Sequence, residues 1–170
     1  MSCNKQNGFT VIELLVVIVL LGIITSFALL SMGTSGAESK LEEEAKRIHA
    51  LIKLAQEESI IQAKEIAMEI NSKEYLFLQY KNKKWLPLEN KIFQQRKIDD
   101  DIEISVEIDS ELKIFKLNEN EILRLYFLSS GEQSPFEMRF NVKNQSSKYF
   151  RLTGLFNGSL KLNFINEFEN

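Results

Sequence analysis

One uninterrupted apolar run near the amino terminus constrains this chain more than any other feature. From Phe9 to Met32 its 24 residues carry a single charge, Glu13. Wound as an α-helix the run is about 36 Å long, enough to cross the hydrocarbon core of a bilayer. In lipid every backbone N–H and C=O must find its partner within the segment, so a helix is the form open to it. Three readings compete. An ordinary secretory signal has a shorter apolar region, on the order of 7–15 residues, with a small-residue cleavage site after it. The stretch Gly33-Thr34-Ser35-Gly36-Ala37 supplies small residues, but the run before it is too long. An uncleaved anchor accounts for the length and leaves Glu13 unexplained. A leader cut ahead of the run keeps the helix on the mature protein and accounts for both.

Glu13 separates these readings. A carboxylate well inside lipid costs ~2.5–3.5 kcal/mol on insertion scales. Placed near the interface it costs little. Paired with a cation in a dry assembly it is also tolerated. Cleavage between Gly8 and Phe9 frees an amine on Phe9, four positions before Glu13, and residues four apart share a helix face. The leader, residues 1–8, has Lys5 as its only basic side chain and no acidic one. A positive end before the helix predicts a cytoplasmic leader, with the rest of the chain on the outer side of the inner membrane.

The segment Gly8-Phe9-Thr10-Val11-Ile12-Glu13-Leu14, followed directly by the apolar run, closely resembles the class III signal of type IV pilins and type II secretion pseudopilins. The resemblance implies that a prepilin peptidase cuts after Gly8 and N-methylates Phe9. It implies that Glu13 helps dock the subunit into a growing filament beside a neighbour's N-terminus. It also suggests that the helix around Gly22 loosens in the assembled filament, although glycine there equally suits close helix packing.

Beyond the run the pattern changes twice. Met32 to Ser39 is rich in small residues and reads as a flexible break. From about Ala37 to Ala63, Leu41, Ala45, Ile48, Ile52 and Ala55 recur at three- and four-residue steps, the stripe of an amphipathic helix. Glu42, Glu43, Glu44, Lys46, Arg47, Lys53, Glu57 and Glu58 are assigned to its outer faces, and His49 to its wet flank. From Glu65 the period is two: Ile66, Met68 and Ile70; the dense run Tyr75 to Tyr80; Ile102 to Ile108; Phe136 to Val142; Leu160 to Phe164. Such runs, parted by Asn71-Ser72, by Ser129-Ser130-Gly131 with Pro135, and by Asn157-Gly158, predict an antiparallel sheet or sandwich. Asn157-Gly158 predicts a type I′ hairpin. The expected organisation is a leader over 1–8, a transmembrane and assembly helix over 9–32, an amphipathic second part of that helix over 33–64, and a periplasmic β-rich domain over 65–170. The fold class is α+β, a long N-terminal helix packed on an antiparallel sheet or sandwich.

Composition removes most chemistry. The only cysteine, Cys3, lies in the leader, so the mature chain has no disulfide framework. With one histidine, His49, thiol, Ser-His and zinc chemistry lack their raw material. Asp99-Asp100-Asp101 offers oxygens to a hard cation, but reads better as a solvated acidic loop. Lys81, Lys83 and Lys84 beside Tyr80 and Trp85 suit a nucleic acid, but read better as a hairpin tip with a partly buried tryptophan. The net charge of −3 also opposes a general nucleic-acid binder.

The later segments Leu51 to Ile60, Trp85-Leu86-Pro87-Leu88, Ser130-Gly131-Glu132 before Pro135-Phe136, and Leu155 to Leu160 resemble the GspH/FimT group of minor subunits. That resemblance implies a pilin-like fold and a structural, non-enzymatic minor pseudopilin of type II secretion, without catalytic residues, metal or cofactor. Its implied partners are other major and minor pseudopilins, the prepilin peptidase, an inner-membrane assembly platform and the lipid bilayer, with no nucleic acid. The alternative is a FimT-like minor type IV pilus subunit that binds DNA for uptake.

Overall fold

The computed structural model describes residues 10–108, 114–117, 119 and 121–167, with side chains described at all of these but 26–35 and 114–116. Helix α1 runs from Val11 to Ile61, 51 residues. The chain divides into two units at Ala37/Glu38. The stretch Met32 to Ser39, expected as a flexible break, is helical in its backbone, although the division falls within it. Its two glycines cost a helix only about 1 kcal/mol each against alanine, and no proline interrupts the hydrogen-bond ladder.

In the first unit the helix stands without a fold around it. Its apolar side chains from Val11 to Ile24 are 47–86% exposed. Among the described residues no helix is long and apolar enough to cross a membrane. The remainder of the 9–32 run lies at Phe9 and at residues 26–32, outside the described side chains.

In the second unit the expected stripe is the buried one. Leu41, Ala45, Ile48, Leu51, Ile52 and Ala55 are all buried, each Leu or Ile contributing about 1.5–3 kcal/mol by leaving water. Helix α1 ends in a Schellman cap. Ala63 adopts a left-handed φ of 48°, its N–H donates to Ile60 O at 3.3 Å, and Lys64 N–H donates to Ser59 O at 3.0 Å. These bonds satisfy carbonyls that the last turn leaves open.

Ten strands follow: β1 Ile66–Ile70, β2 Glu74–Lys81, β3 Lys84–Pro87, β4 Arg96–Lys97, β5 Ile102–Ile108, β6 Ile114–Lys116, β7 Leu123–Phe127, β8 Phe136–Val142, β9 Lys148–Gly154 and β10 Leu160–Asn166. They form two antiparallel sheets. The first has the order β3-β2-β1-β7, with β4 also pairing β2; the second has the order β10-β9-β8-β5-β6. The core joins the helical stripe to one face of each sheet: Ile66, Met68, Ile70, Tyr75, Phe77, Leu125 and Phe127 from the first, and Ile104, Val106, Met138, Phe140 and Leu152 from the second.

The turns explain two departures from expectation. A type I′ turn needs positive φ at both central residues. Asn82 and Lys83 supply it, at φ 54° and 61°, joining β2 to β3. At Asn157-Gly158 only the glycine has positive φ, 83°. That loop instead closes with Gly158 N–H donating to Leu155 O at 3.0 Å and Leu155 N–H to Ser159 O at 2.9 Å.

Candidate functional site

The chemistry expected at the amino terminus rests on Gly8, Phe9 and Glu13. Gly8 and Phe9 lie outside the described residues. Glu13 lies in the first turn of α1, and its surroundings show why the helix starts there. Thr10 precedes the helix, and its carbonyl accepts the N–H groups of Glu13 at 3.1 Å and Leu14 at 3.2 Å. Its hydroxyl also accepts from Glu13 N–H at 3.4 Å. Thr10 therefore stands as the N-cap, its hydroxyl satisfying an open donor, and Glu13 as the third helical residue, its carboxylate at the positive helix end. The Thr-x-x-Glu spacing was legible in the sequence, but Glu13 was weighed there for its charge in lipid, not for its place in the first turn. One turn past Gly22, the Thr25 hydroxyl donates to Leu21 O at 2.7 Å and Gly22 O at 3.1 Å. Its polar group is thus satisfied by its own helix.

In the second unit, Glu44 corrects the reading of the helix. Assigned to an outer face, it is only 4% exposed. The stripe explains this: Glu44 is three residues after Leu41 and four before Ile48, so it faces the core with them. Arg47 Nη1 donates to Glu44 Oε2 at 2.5 Å, and the guanidinium also bonds Glu43. Tyr75 from β2 and Arg96 from β4 adjoin the carboxylate. Burial pushes the Glu44 carboxyl above its usual range, against the pull of Arg47, Tyr75 and Arg96. Burial first, and then the Glu44 charge, push the Tyr75 phenol upward too. The cluster lies where α1 meets the first sheet, and Glu44 and Arg47 also line a surface cavity of about 270 Å³ with Lys40, Lys97 and Asp99. His49 is half-buried on the helix flank, and burial, with Lys53 nearby, lowers its pKa.

The two surface motifs take more definite form. Lys40 spans the acidic loop, 3.0 Å from Asp99 and 3.9 Å from Asp101. The Asp101 backbone N–H, and next Lys40, hold Asp99 below the usual carboxylate range. Among the described residues no group of three or more His, Cys, Asp or Glu is placed to hold a metal ion. Lys81, Lys83 and Lys84 are exposed around the β2–β3 turn. Trp85 lies between Tyr80, at 5.2 Å, and Tyr126, at 5.6 Å between ring centroids. Arg124, bonded to Glu69, lies over its ring at 5.5 Å. Tyr126 and Arg124 come from β7, a strand that the sequence reading did not anticipate.

Three of the segments quoted for the GspH/FimT resemblance converge on one place. The Gln56 amide donates to Gln133 Oε1 at 2.6 Å and to Gly158 O at 3.0 Å. Gln133, buried, donates to Leu155 O at 2.9 Å. Helix, Gly131 turn and Gly158 loop are thereby held together, and a Cβ on Gly158 would fall 2.6 Å from Gly131 O. Both glycines have positive φ, 89° and 83°. Spacing alone carried no sign that Gln56 and Gln133 meet.

Two family models match. The prokaryotic N-terminal methylation motif matches residues 3–35, and type II transport protein GspH matches residues 44–158. Among curated relatives, type II secretion system protein H of Pseudomonas aeruginosa is 28% identical over 160 residues, covering 88% of this chain and 91% of its own. Its counterpart in Aeromonas hydrophila is 26% identical over 163 residues, covering 89% of each chain. Among solved structures, the minor pseudopilin EpsH of the type 2 secretion system of Vibrio cholerae shares the fold, with a TM-score of 0.61 at 24% identity, covering 73% of this chain and 96% of that one.

Proposed function

The chain belongs to the type II transport protein GspH family, and from that premise we propose that it is a minor pseudopilin, a structural subunit of a type II secretion pseudopilus. The observation that carries the reading is the joint match of one chain to the methylation motif over residues 3–35 and to GspH over residues 44–158. An assembly helix and a GspH domain in one polypeptide are the two parts such a subunit needs. The relatives in Pseudomonas aeruginosa and Aeromonas hydrophila are named for that secretion system.

In this reading prepilin peptidase removes residues 1–8 and methylates Phe9. The helix sits as a single pass in the inner membrane, with the β-rich domain in the periplasm. Side chains from Val11 to Ile24 pack against lipid and against the helices of other pseudopilins through close contact. The freed Phe9 amine and Glu13 pair, within the chain or between neighbours, which offsets the cost of a carboxylate in a dry bundle. The work is assembly on an inner-membrane platform; no group in the chain is asked to catalyse.

The test is complementation in the host. Deleting the gene is expected to abolish export of the system's secreted proteins, and restoring the chain to recover it. Export unaffected by the deletion overturns the reading. The exposed lysines and aromatic cluster around Trp85 favour the second reading, a type IV pilus subunit that binds DNA. A gel mobility shift with the purified chain, strong at low salt and lost as salt rises, supports that alternative.

A further inference from the structure

The two sheets treat their outer faces differently. An antiparallel sheet with one face in a core commonly turns polar residues to water on the other. The second sheet does so: Glu103 lies opposite Asn141 and Ser105 opposite Arg139, between the inward residues of β5 and β8. The first sheet does not. Its register sets Tyr126, Ala67, Leu78 and Pro87 in one row across β7, β1, β2 and β3. Tyr80 stands opposite Trp85 beside that row. By strand alternation this face is turned away from the core residues Met68, Phe77 and Leu125. Ala67 and Leu78 are buried even so, in the row that the aromatic rings flank.

The cover is incomplete. Trp85 is half-buried against Tyr80, Tyr126 and Arg124, but Tyr80 remains 43% exposed and Tyr126 38%. Tryptophan, tyrosine and arginine are the residue types on which binding energy concentrates at protein interfaces. The turn beside this patch is cationic. Arg124 is answered by Glu69, whereas Lys81, Lys83 and Lys84 are exposed and have no ionic partner among the described residues. In a chain of net charge −3 they form a local excess of the opposite sign. The rings suit a protein better than a nucleic acid. Bases of a single strand stack on open ring faces in succession. Here the rings meet at 51° and 52°, and Arg124 lies over Trp85, so no run of parallel faces is presented.

We propose that this end of the outer face of the first sheet is a docking surface for an acidic segment of a neighbouring pseudopilin. An apolar side chain of the segment lies against Tyr80, Trp85 and Tyr126, and carboxylates beside it meet Lys81, Lys83 and Lys84. The aromatic centre holds the partner, and the lysine rim steers and selects it. The contact is heterologous, as a filament requires. The inference rests on the pseudopilin reading and names a surface by which the subunit meets its neighbour.

The test uses the full chain, purified alone and co-purified with the other pseudopilins of its host, and reads hydroxyl-radical footprinting by mass spectrometry. In the complex, oxidation of Tyr80, Trp85 and Tyr126 is expected to slow several-fold. The triple variant Lys81→Glu, Lys83→Glu, Lys84→Glu is expected to lower the yield of complex by roughly tenfold, with thermal unfolding of the chain retained. Lys161→Glu, at an exposed lysine of the second sheet, leaves the yield unchanged; an equal loss there assigns the effect to net charge and overturns the docking surface. A complex that forms with the three aromatic residues oxidised as in the free chain overturns the surface and leaves the pseudopilin reading standing. So does a triple variant that assembles as the parent does. Protection of these residues by a single-stranded DNA oligonucleotide, with none by any pseudopilin, overturns it in favour of a nucleic acid. Failure to form a complex with any co-expressed pseudopilin overturns the pseudopilin reading, and the docking surface falls with it.

Discussion

The two ends of α1 use the same residue types in opposite circumstances. Between Val11 and Ile24 the aliphatic side chains are at least 47% exposed; between Leu41 and Ala55 those of the stripe are at most 6% exposed. The difference lies in pattern, not in hydrophobicity. A stripe repeating every three or four residues can be covered from one side, and the sheets cover it. A run that is apolar all round has no wet face to offer, and within the first unit none of the described residues covers it. One backbone thus carries two patterns, and only the striped one is buried in its own unit.

This contrast can be broken by experiment, beginning with the largest effect. Gly8→Glu is expected to abolish leader removal, read as retention of residues 1–8 in the intact mass of the membrane protein; a normally shortened chain counts against the cut between Gly8 and Phe9. Next, Ile52→Ala should cost the domain about 2–5 kcal/mol in denaturant unfolding, the usual range for a buried isoleucine truncated to alanine. Ile18→Ala, the same change in the outward-facing half, should leave the domain's unfolding unaltered. Equal losses at both positions would show that Val11 to Ile24 is packed against the domain after all. Third, Glu13→Gln should preserve membrane insertion and the domain's unfolding while lowering incorporation into pseudopilin complexes several-fold, in line with about 1 kcal/mol for a partly screened charge pair. Unchanged incorporation would show the pair to be dispensable.

The smallest effect concerns Glu44, the one carboxylate of the buried stripe. Its folded pKa lies above the ordinary value of 4.5, so the unfolded chain gives up this proton more readily. The associated stability is full at pH below that ordinary value and is lost as pH rises through the folded pKa. Glu44→Gln should therefore flatten the decline in melting temperature between mildly acidic and neutral pH. A Gln variant with the same slope as the parent would assign the decline to other groups.

Much of this fold was legible because burial leaves a period. The stripe from Leu41 to Ala55, and the alternations at Ile66 to Ile70, Ile102 to Ile108 and Phe136 to Val142, follow from one face turned inward. Where the reading failed, the missing information was tertiary. Glu44 was placed by its charge, although its spacing put it on the stripe, where the Arg47 guanidinium bonds its carboxylate. Strand β7 was overlooked although Leu123-Arg124-Leu125-Tyr126-Phe127 alternates, with Leu125 and Phe127 inward; Arg124, charged and paired with Glu69, and Tyr126 meet Trp85 on the other face, a contact that spacing does not show. The hairpin at Asn157-Gly158 was expected with the wrong turn, since its loop is fixed by the Gly131 backbone and Gln56 beside it.

The hydroxyl of Thr25 carries one last consequence. A side chain that has already bonded its own carbonyls asks nothing of its neighbours. From Val11 to Thr25 the helix therefore displays a surface with almost no polar vocabulary, and a neighbouring helix sliding along it would meet the same shape at many heights. Glu13 alone interrupts that sameness. In a bundle of such helices the vertical address of each subunit would be written at one end, by a single carboxylate, and the length of the helix would merely carry it there.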